Sequence, residues 1–407
     1  MKKPSQAAIN ATILVAALGY FVDIYDLVLF SIVRVPSLQS LGVGAYRLLE
    51  DGVFLLNAQM IGMLLGGIIW GVWADKRGRL SVLFGSIALY SIANIANAFV
   101  TNIEQYGLLR FLAGVGLAGE LGAAITLISE IMPSETRGYG TTVVAAVGVS
   151  GAVVAALIGD AFSWKVAYIV GGALGLVLLA LRIRMAESHL FHSSSSEVAI
   201  RKGDLRLLLG TGPRLIKYIH CILIGVPIWF VIGILITFSP EFAKELGVDG
   251  AVTGGRAIMM AYIGLVLGDI ASGLGSQWLR SRKKMIGSFV VLTFSFILFY
   301  LNARGVSSSA LYGLCLGMGF GTGYWAVFVT TASEQFGTNL RATVTTTAPN
   351  FVRGAVVPLT LSFQWMRAQW GILISAHVLA IFCCAVALLS LRRLQESFGK
   401  NLDYYEY

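Results

Sequence analysis

Isolated charges interrupt otherwise apolar stretches of this chain: Asp23 and Asp26, Arg110, Glu120 and Arg353. An ionisable side chain at the centre of a bilayer costs about 2.5–3.5 kcal/mol on insertion scales, so it is kept only when paired, wetted or functional. Asp23 and Asp26 are three residues apart and share one helix face. Two carboxylates so close in a partly dry site do not both hold their charge readily, and one of them tends to carry a proton. That is proton-carrier chemistry, at either residue; the bland alternative is a structural pair with a neighbouring arginine. Glu120, in "GLAGELGAA", has small neighbours that let helices approach closely. It carries a proton, binds substrate, or packs as a protonated side chain.

Arg353 lies about a dozen residues into an apolar span, in "TTAPNFVRGAVVP". A permanent guanidinium there needs an anion, and its fork suits a carboxylate. The anion is a bound substrate or a fixed protein acid such as Asp269. Asn350 lies on the same helix face, and Pro349 and Pro358 leave backbone carbonyls to be met by neighbours. Arg110 either neutralises Asp23 or Asp26 or touches substrate. His220 and His377 lie in spans and His189 and His192 in a polar segment, with no pattern that assigns them chemistry. Cys221, Cys315, Cys383 and Cys384 all fall in apolar spans and read as packing residues.

The elements that must position these groups are membrane helices. The 407 residues are 57% hydrophobic and only 13% charged, too few charges to cover a water-facing surface. The apolar stretches are continuous rather than alternating, which argues against a transmembrane barrel. The length has room for about twelve spans of about 20 residues. Spans are expected at 12–36, 52–74, 80–100, 105–131, 138–162 and 166–184, then 215–239, 254–279, 284–303, 307–333, 341–366 and 370–391. The second set repeats the first. Glu130 precedes Arg137 by seven residues, as Glu334 precedes Arg341, and Gly71 and Gly275 have the same separation as the two glutamates. "SLGV" near residue 42 recurs as "ELGV" near 247. A two-fold pseudosymmetric membrane transporter is the expected architecture. It divides into an N-terminal six-helix bundle, 1–184, a cytoplasmic linker, 185–214, and a C-terminal bundle with its tail, 215–407. The linker, with "HSSSSE" and "RKGDLRLLLG", is expected to be a tether leading into a short amphipathic helix.

The net charge of +9 does not signal nucleic acid, because the basic residues form no single face. Loops on the side of the N-terminus hold Lys76, Arg77, Arg79, Arg201, Lys202, Arg280, Arg282, Lys283 and Lys284; those on the other side hold Arg47, Lys165, Lys244, Arg304 and Arg367. The positive-inside rule then puts both termini and the linker in the cytoplasm, in a bacterial inner membrane. The first apolar run lacks a small-residue cleavage site and contains two aspartates, so it is expected to be retained as a span.

The pattern resembles the major facilitator superfamily. Gly71-Val-Trp-Ala-Asp75-Lys76-Arg77-Gly78-Arg79 matches its loop motif, with Leu80 departing from the last basic position. Within the superfamily the chain looks most like the metabolite:proton symporters. "GYFVDIYDL", "RFLAGVGLAGELGAA", "PSETRG" and "RMAES" resemble their landmarks, and "ESFGKNLD" resembles the tail motif of sugar porters. Asp23 stands where that family usually has glutamate, and Arg353 where it usually has an uncharged residue. The resemblance therefore favours Asp26 as the proton carrier. It also implies that Tyr25, Trp229, Tyr262, Tyr324 and Trp325 lie in spans that commonly face the cavity, although packing is the commoner role of a membrane aromatic. Asp75, Arg79 and the pairs Glu130–Arg137 and Glu334–Arg341 are implied to be gating contacts at cytoplasmic helix ends, against simple helix-end charge compensation.

The function that follows is proton-coupled uptake of a small organic anion by alternating access, by a monomer without cofactor. A drug or metabolite antiporter is the first alternative, although span 5, "TTVVAAVGVSGAVVAALIGD", lacks the proline of that class. Uptake of a metal chelate or siderophore is another, and a sensor that kept the fold a third. No metal-ligand cluster, nucleophile–base pair or nucleotide loop points to an enzyme. The glycines of "GMGFGTG" at 317–323 are expected to pack helices.

Overall fold

Inside a bilayer every backbone N–H and C=O must be satisfied within the chain, so the apolar runs fold as helices. The computed structural model describes residues 6–77, 79–119, 137–187, 208 and 210–399, and no strand occurs among them. The helices are α1 (Gln6–Ser40), α2 (Leu48–Arg77), α3 (Arg79–Asn97), α4 (Ile103–Leu117), α5 (Arg137–Ala161) and α6 (Trp164–Glu187). Then follow α7 (Gly212–Leu223), α8 (Val226–Phe230), a π-helical turn Val231–Ile236, and α9 (Ser239–Glu245). The last are α10 (Gly254–Trp278), α11 (Arg282–Leu301), α12 (Ser308–Thr322), α13 (Trp325–Glu334), α14 (Thr338–Gly354) and α15 (Val356–Arg393). Among the described residues seven helices are long and apolar enough to cross a membrane, or eight if the bent pair Gly212–Leu223 and Val226–Ile236 is one span. The 51-residue stretch Thr343–Arg393 is counted once there but is long enough for two spans.

Several expected spans differ in form. The first helix runs beyond 12–36 at both ends. The expected span 215–239 bends by 41° at Ile224–Gly225, where Pro227 removes a donor, and widens into the π turn. The expected span 307–333 is two helices broken at Gly323 and Tyr324. Spans 341–366 and 370–391 join through Gly371, whose φ of 78° is open to glycine at no steric cost. Span 105–131 is described only to residue 119, and most of the linker lies outside the described residues.

Packing follows the sequence repeat. α1 packs on α5, α2 on α4 and α3 on α6; α10 packs on α12 and α11 on α15, while α7, α8 and α14 group with the first part of α15. Glycines set the closest crossings. A Cβ on Gly62, Gly66 or Gly114 would strike the backbone of the facing helix in the α2–α4 pair. Gly264, Gly268 and Gly319 do the same in α10–α12, the corresponding pair of the second half. Gly317 and Gly321 face Phe296 and Thr293 of α11. The expected packing role of that glycine run is what the helices show.

Candidate functional site

Three helix interruptions meet at Arg353. The side chain lies in the last turn of α14 and is 1% exposed. Trp229 comes from the short α8 after the first bend, and Trp325 opens α13 after the second break. The guanidinium carbon is 5.8 Å from each indole centroid, within cation–π range of both. The N-terminus of α13 is held by Asp269, whose Oδ1 accepts a hydrogen bond from Ala326 N at 3.1 Å. A carboxylate there offsets the positive end of the helix dipole. Asp269, offered by the sequence as one candidate fixed partner of Arg353, is therefore engaged elsewhere. The ion pair is made by Asp23 of α1, with Nη2 to Oδ2 at 3.9 Å and both residues buried. That distance is long for a charge-assisted hydrogen bond, which is typically about 2.7–2.9 Å. Nε and Nη1 of Arg353 have no hydrogen-bond partner among the described protein groups. Tyr20 and Tyr262 stand beside the pair and are also buried.

Asp26 belongs to a second buried cluster, within the first half. Its neighbours are Arg110 of α4 and Asn94 of α3. Arg110 donates to Asn94 Oδ1 at 2.5 Å and reaches Gln59 Oε1 at 3.5 Å, and its guanidinium lies 4.9 Å from the Tyr168 ring centroid. Tyr168 and Tyr106 share a hydrogen bond of 2.7 Å, and Tyr106 donates on to Ser37 at 3.3 Å. A Cβ on Gly171 would collide with Asp26 Oδ1, so glycine lets the carboxylate rest against α6. Asp26 receives no well-formed hydrogen bond from a described residue.

Other expected site residues sit elsewhere. Tyr25 donates to Ala167 O at 3.0 Å and Tyr324 to Ile224 O at 3.0 Å, each within its own half. Asn350 lies between the halves: its Nδ2 donates to Ala118 O at 3.1 Å and Thr346 O at 3.2 Å, and it faces Gly67. Glu334 meets Arg282 at 3.6 Å and accepts from Ser397 Oγ at 2.7 Å, while Arg341 is half-buried at the start of α14. Ser397 follows Glu396, whose carboxylate accepts from Ser281 Oγ and from the N–H groups of Arg282, Lys283 and Phe398. Burial works against the charge of Glu396, but the Ser281 hydroxyl and those three N–H groups outweigh it and hold the carboxyl below its usual range. Glu120 and Glu130, and the side chains of Asp75, Arg79 and Arg137, lie outside the described residues.

Sequence reasoning missed an ion pair near the end of the bundle away from the N-terminus. Arg34 of α1 grips Glu241 of α9 with two hydrogen bonds of 2.7 Å. It also donates to Leu48 O at 3.0 Å and Thr237 O at 3.3 Å and stacks 4.6 Å over the Phe238 ring. Thr237 donates to Ser31 at 3.0 Å, and Thr360 to Asn57 at 2.7 Å, so the same end is tied by further bonds between the halves. The available signal was the arginine of "IVRVPSL" and the glutamate of "SPEFAKELGV", but their partnership spans 207 residues and leaves no local pattern.

With this geometry in place, comparison with known proteins gives a consistent result. The family model described as "Major Facilitator Superfamily" matches residues 16–359. The niacin transporter NiaP of Acinetobacter baylyi is 24% identical over 96% of this chain and 94% of its own. The 3-(3-hydroxy-phenyl)propionate transporter of Escherichia coli is 27% identical over 72% of each. Among solved structures, one described as a D-xylose-proton symporter superposes with a TM-score of 0.70 at 18% identity, covering 97% of this chain and 100% of that one.

Proposed function

Because the chain belongs to the major facilitator superfamily, we propose that it imports a small aromatic carboxylate together with protons, by alternating access. The observation that carries this reading is the environment of Arg353. A buried guanidinium lies within cation–π range of two indoles, with one long ion pair and two nitrogens without hydrogen-bond partners. A flat ring fits between aromatic walls, and a carboxylate fits the guanidinium fork. The cargoes named for the relatives NiaP and the hydroxyphenylpropionate carrier combine an aromatic ring with a carboxylic acid.

In this reading the substrate carboxylate takes the place of Asp23 at Arg353, and Trp229, Trp325, Tyr20 and Tyr262 enclose the ring. Asp26 carries the proton: it binds one from the outer side and releases it inward, while Arg110 sets how readily it does so. One proton moving with a monoanion cancels its charge, which removes the opposition of about 2.3 kcal/mol per 100 mV that the anion alone would meet. The distribution of basic loops supports an orientation with the Arg34–Glu241 end outside and both termini in the cytoplasm of an inner membrane. With that end held shut by Arg34, the conformation is closed to the outside.

Thermal melting of the purified protein with nicotinate and with nicotinamide tests the reading, because the two share a ring and differ in charge. Stabilisation by nicotinate, benzoate or 4-hydroxybenzoate, and none by nicotinamide, is expected. Equal stabilisation by nicotinamide, or none by any carboxylate, would remove the role of Arg353.

A further inference from the structure

The helix α1 carries two opposite charges toward the other half of the molecule. Asp23 pairs with Arg353 of α14, and Arg34 pairs with Glu241 of α9. The two positions on α1 are eleven residues apart, close to three full turns, so both project from one face at levels about 16 Å apart. Each level therefore repeats the same device, an arginine whose protein anion comes from the opposite half. At the outer level the arginine is almost fully buried, at 1% exposure, while Glu241 is 20% exposed. The arginine is the fixed partner and the glutamate the accessible one.

Opening the outer side separates α1 from α9. Arg34 keeps its bond to Leu48 O, from its own half. It loses Glu241, the carbonyl of Thr237 and the face of Phe238, which all come from the other half. Gly52 of the same half lets the Arg34 side chain lie close against α2, since a Cβ there would meet Arg34 Cδ and Nη1. The open state thus presents a guanidinium fork, stripped of its anion, in the outer mouth directly above Asp23 and Arg353. Such a group needs a replacement anion, and a carboxylate is the anion whose geometry it has just released.

We infer that Arg34 is a second carboxylate-binding site, the point at which an anionic substrate is first captured before it passes to Arg353. The substrate competes with Glu241 for Arg34 and so favours the open mouth. It then competes with Asp23 for Arg353 at the inner level. This rests on the anionic-substrate reading above and adds to it a second site and an order of events. The fork geometry of Arg34 confers recognition, and its field in a narrow mouth raises the capture rate of anions.

The test compares two variants that break the same ion pair. Initial influx of labelled nicotinate well below saturation is measured in right-side-out vesicles holding the full-length protein, at two ionic strengths. Arg34→Gln removes the capturing cation, and Glu241→Gln removes only its competitor. Capture at Arg34 predicts that Arg34→Gln lowers the influx coefficient at least tenfold and flattens its salt dependence, that Arg34→Lys recovers part of it, and that Glu241→Gln stays within threefold of wild type or exceeds it. A pure lock predicts that Arg34→Gln and Glu241→Gln behave alike; that result overturns the inference and leaves the anionic-substrate reading standing. Wild-type protein that takes up neither nicotinate nor 4-hydroxybenzoate overturns both. Melting temperatures of the variants accompany the influx data, and should Arg34→Gln fail to fold, the double variant Arg34→Gln/Glu241→Gln, which removes the cation without leaving a partly buried carboxylate unpaired, is compared with Glu241→Gln under the same tenfold criterion.

Discussion

Asp23 and Asp26 sit one turn apart on α1 and face different halves of the molecule. Asp23 reaches across to Arg353 of α14 at 3.9 Å, whereas Asp26 stays among Arg110 and Asn94 of its own half. The pair that looked interchangeable in sequence is divided by the helix path between a group whose partner lies in the other half and a group whose neighbours lie in its own. Asp26→Asn is expected to abolish uptake driven by a pH gradient while leaving nicotinate exchange across the membrane measurable. A neutral side chain imitates the protonated carrier and cannot reset by releasing a proton. Counterflow and gradient-driven accumulation in the same vesicles check this, and wild-type accumulation in Asp26→Asn would refute the assignment.

Asp23→Asn should act in the opposite sense on binding. It leaves Arg353 buried without its protein anion, so ligand-free protein should melt lower and nicotinate should raise the melting point more than in wild type. Arg353→Ala should weaken nicotinate binding by about 2–5 kcal/mol, the range for truncating a desolvated charge pair. Arg353→Lys should weaken it less, since a point charge replaces a fork. Calorimetric titration gives the affinities. Unchanged affinity with a large loss of ligand-free stability would make Arg353 a scaffold residue.

Removing one partner of a buried ion pair typically costs about 3–5 kcal/mol, and the partial exposure of Glu241 puts Glu241→Gln near the lower end. The loss should appear as opening of the outer side. Spin labels at the exposed positions Tyr46, in the turn before α2, and Glu245, at the end of α9, should show a longer distance population in Glu241→Gln than in wild type.

The tail gives a pH signature. The Glu396 carboxyl lies below the ordinary glutamate value of 4.5, so over that interval the unfolded chain binds more protons than the folded one. Its contribution to stability is complete above 4.5 and is lost as pH falls through the lowered folded value. Glu396→Gln should therefore melt below wild type at neutral pH, and the difference should close in acid. A pH-independent difference would place the effect elsewhere.

Two alanine substitutions in α12 contrast packing with propensity. Gly319→Ala drives a Cβ into the Ala261 backbone and should cost at least the 1–3 kcal/mol of ordinary overpacking, read as melting temperature. Gly313→Ala meets nothing within 4 Å and should be neutral or stabilising by about 0.5–1 kcal/mol.

Much of this organisation was legible in residue order because the bilayer imposes a strong rule. Continuous apolar runs mark helices, and Arg353 stood out as a charge where none is expected. The breaks were harder to read. Gly323 and Tyr324 interrupt a helix without interrupting its hydropathy, and the two spans that meet at Gly371 run on as one helical stretch with a kink at that single residue. Partnerships were the least legible, because Arg353 with Asp23 and Arg34 with Glu241 are contacts between halves, fixed by helix orientation rather than by spacing. Asp269, one protein acid that the sequence offered as a partner for Arg353, instead meets the N-terminus of α13, a charge that no side chain reveals.

The π turn Val231–Ile236 lies between Trp229, which flanks Arg353, and Thr237, Phe238 and Glu241, which hold Arg34. A π turn contains one residue more than the α turn it replaces, and Thr237 N bonding to Ile232 O is its wide bond. Shedding that residue would swing everything beyond it by about 100°, the rotation of a single helical step. In the proposed transport cycle the segment that meets the cargo at Trp229 therefore runs on into the one that latches Arg34, and the hinge pin between them is a one-residue slip already cut into the backbone.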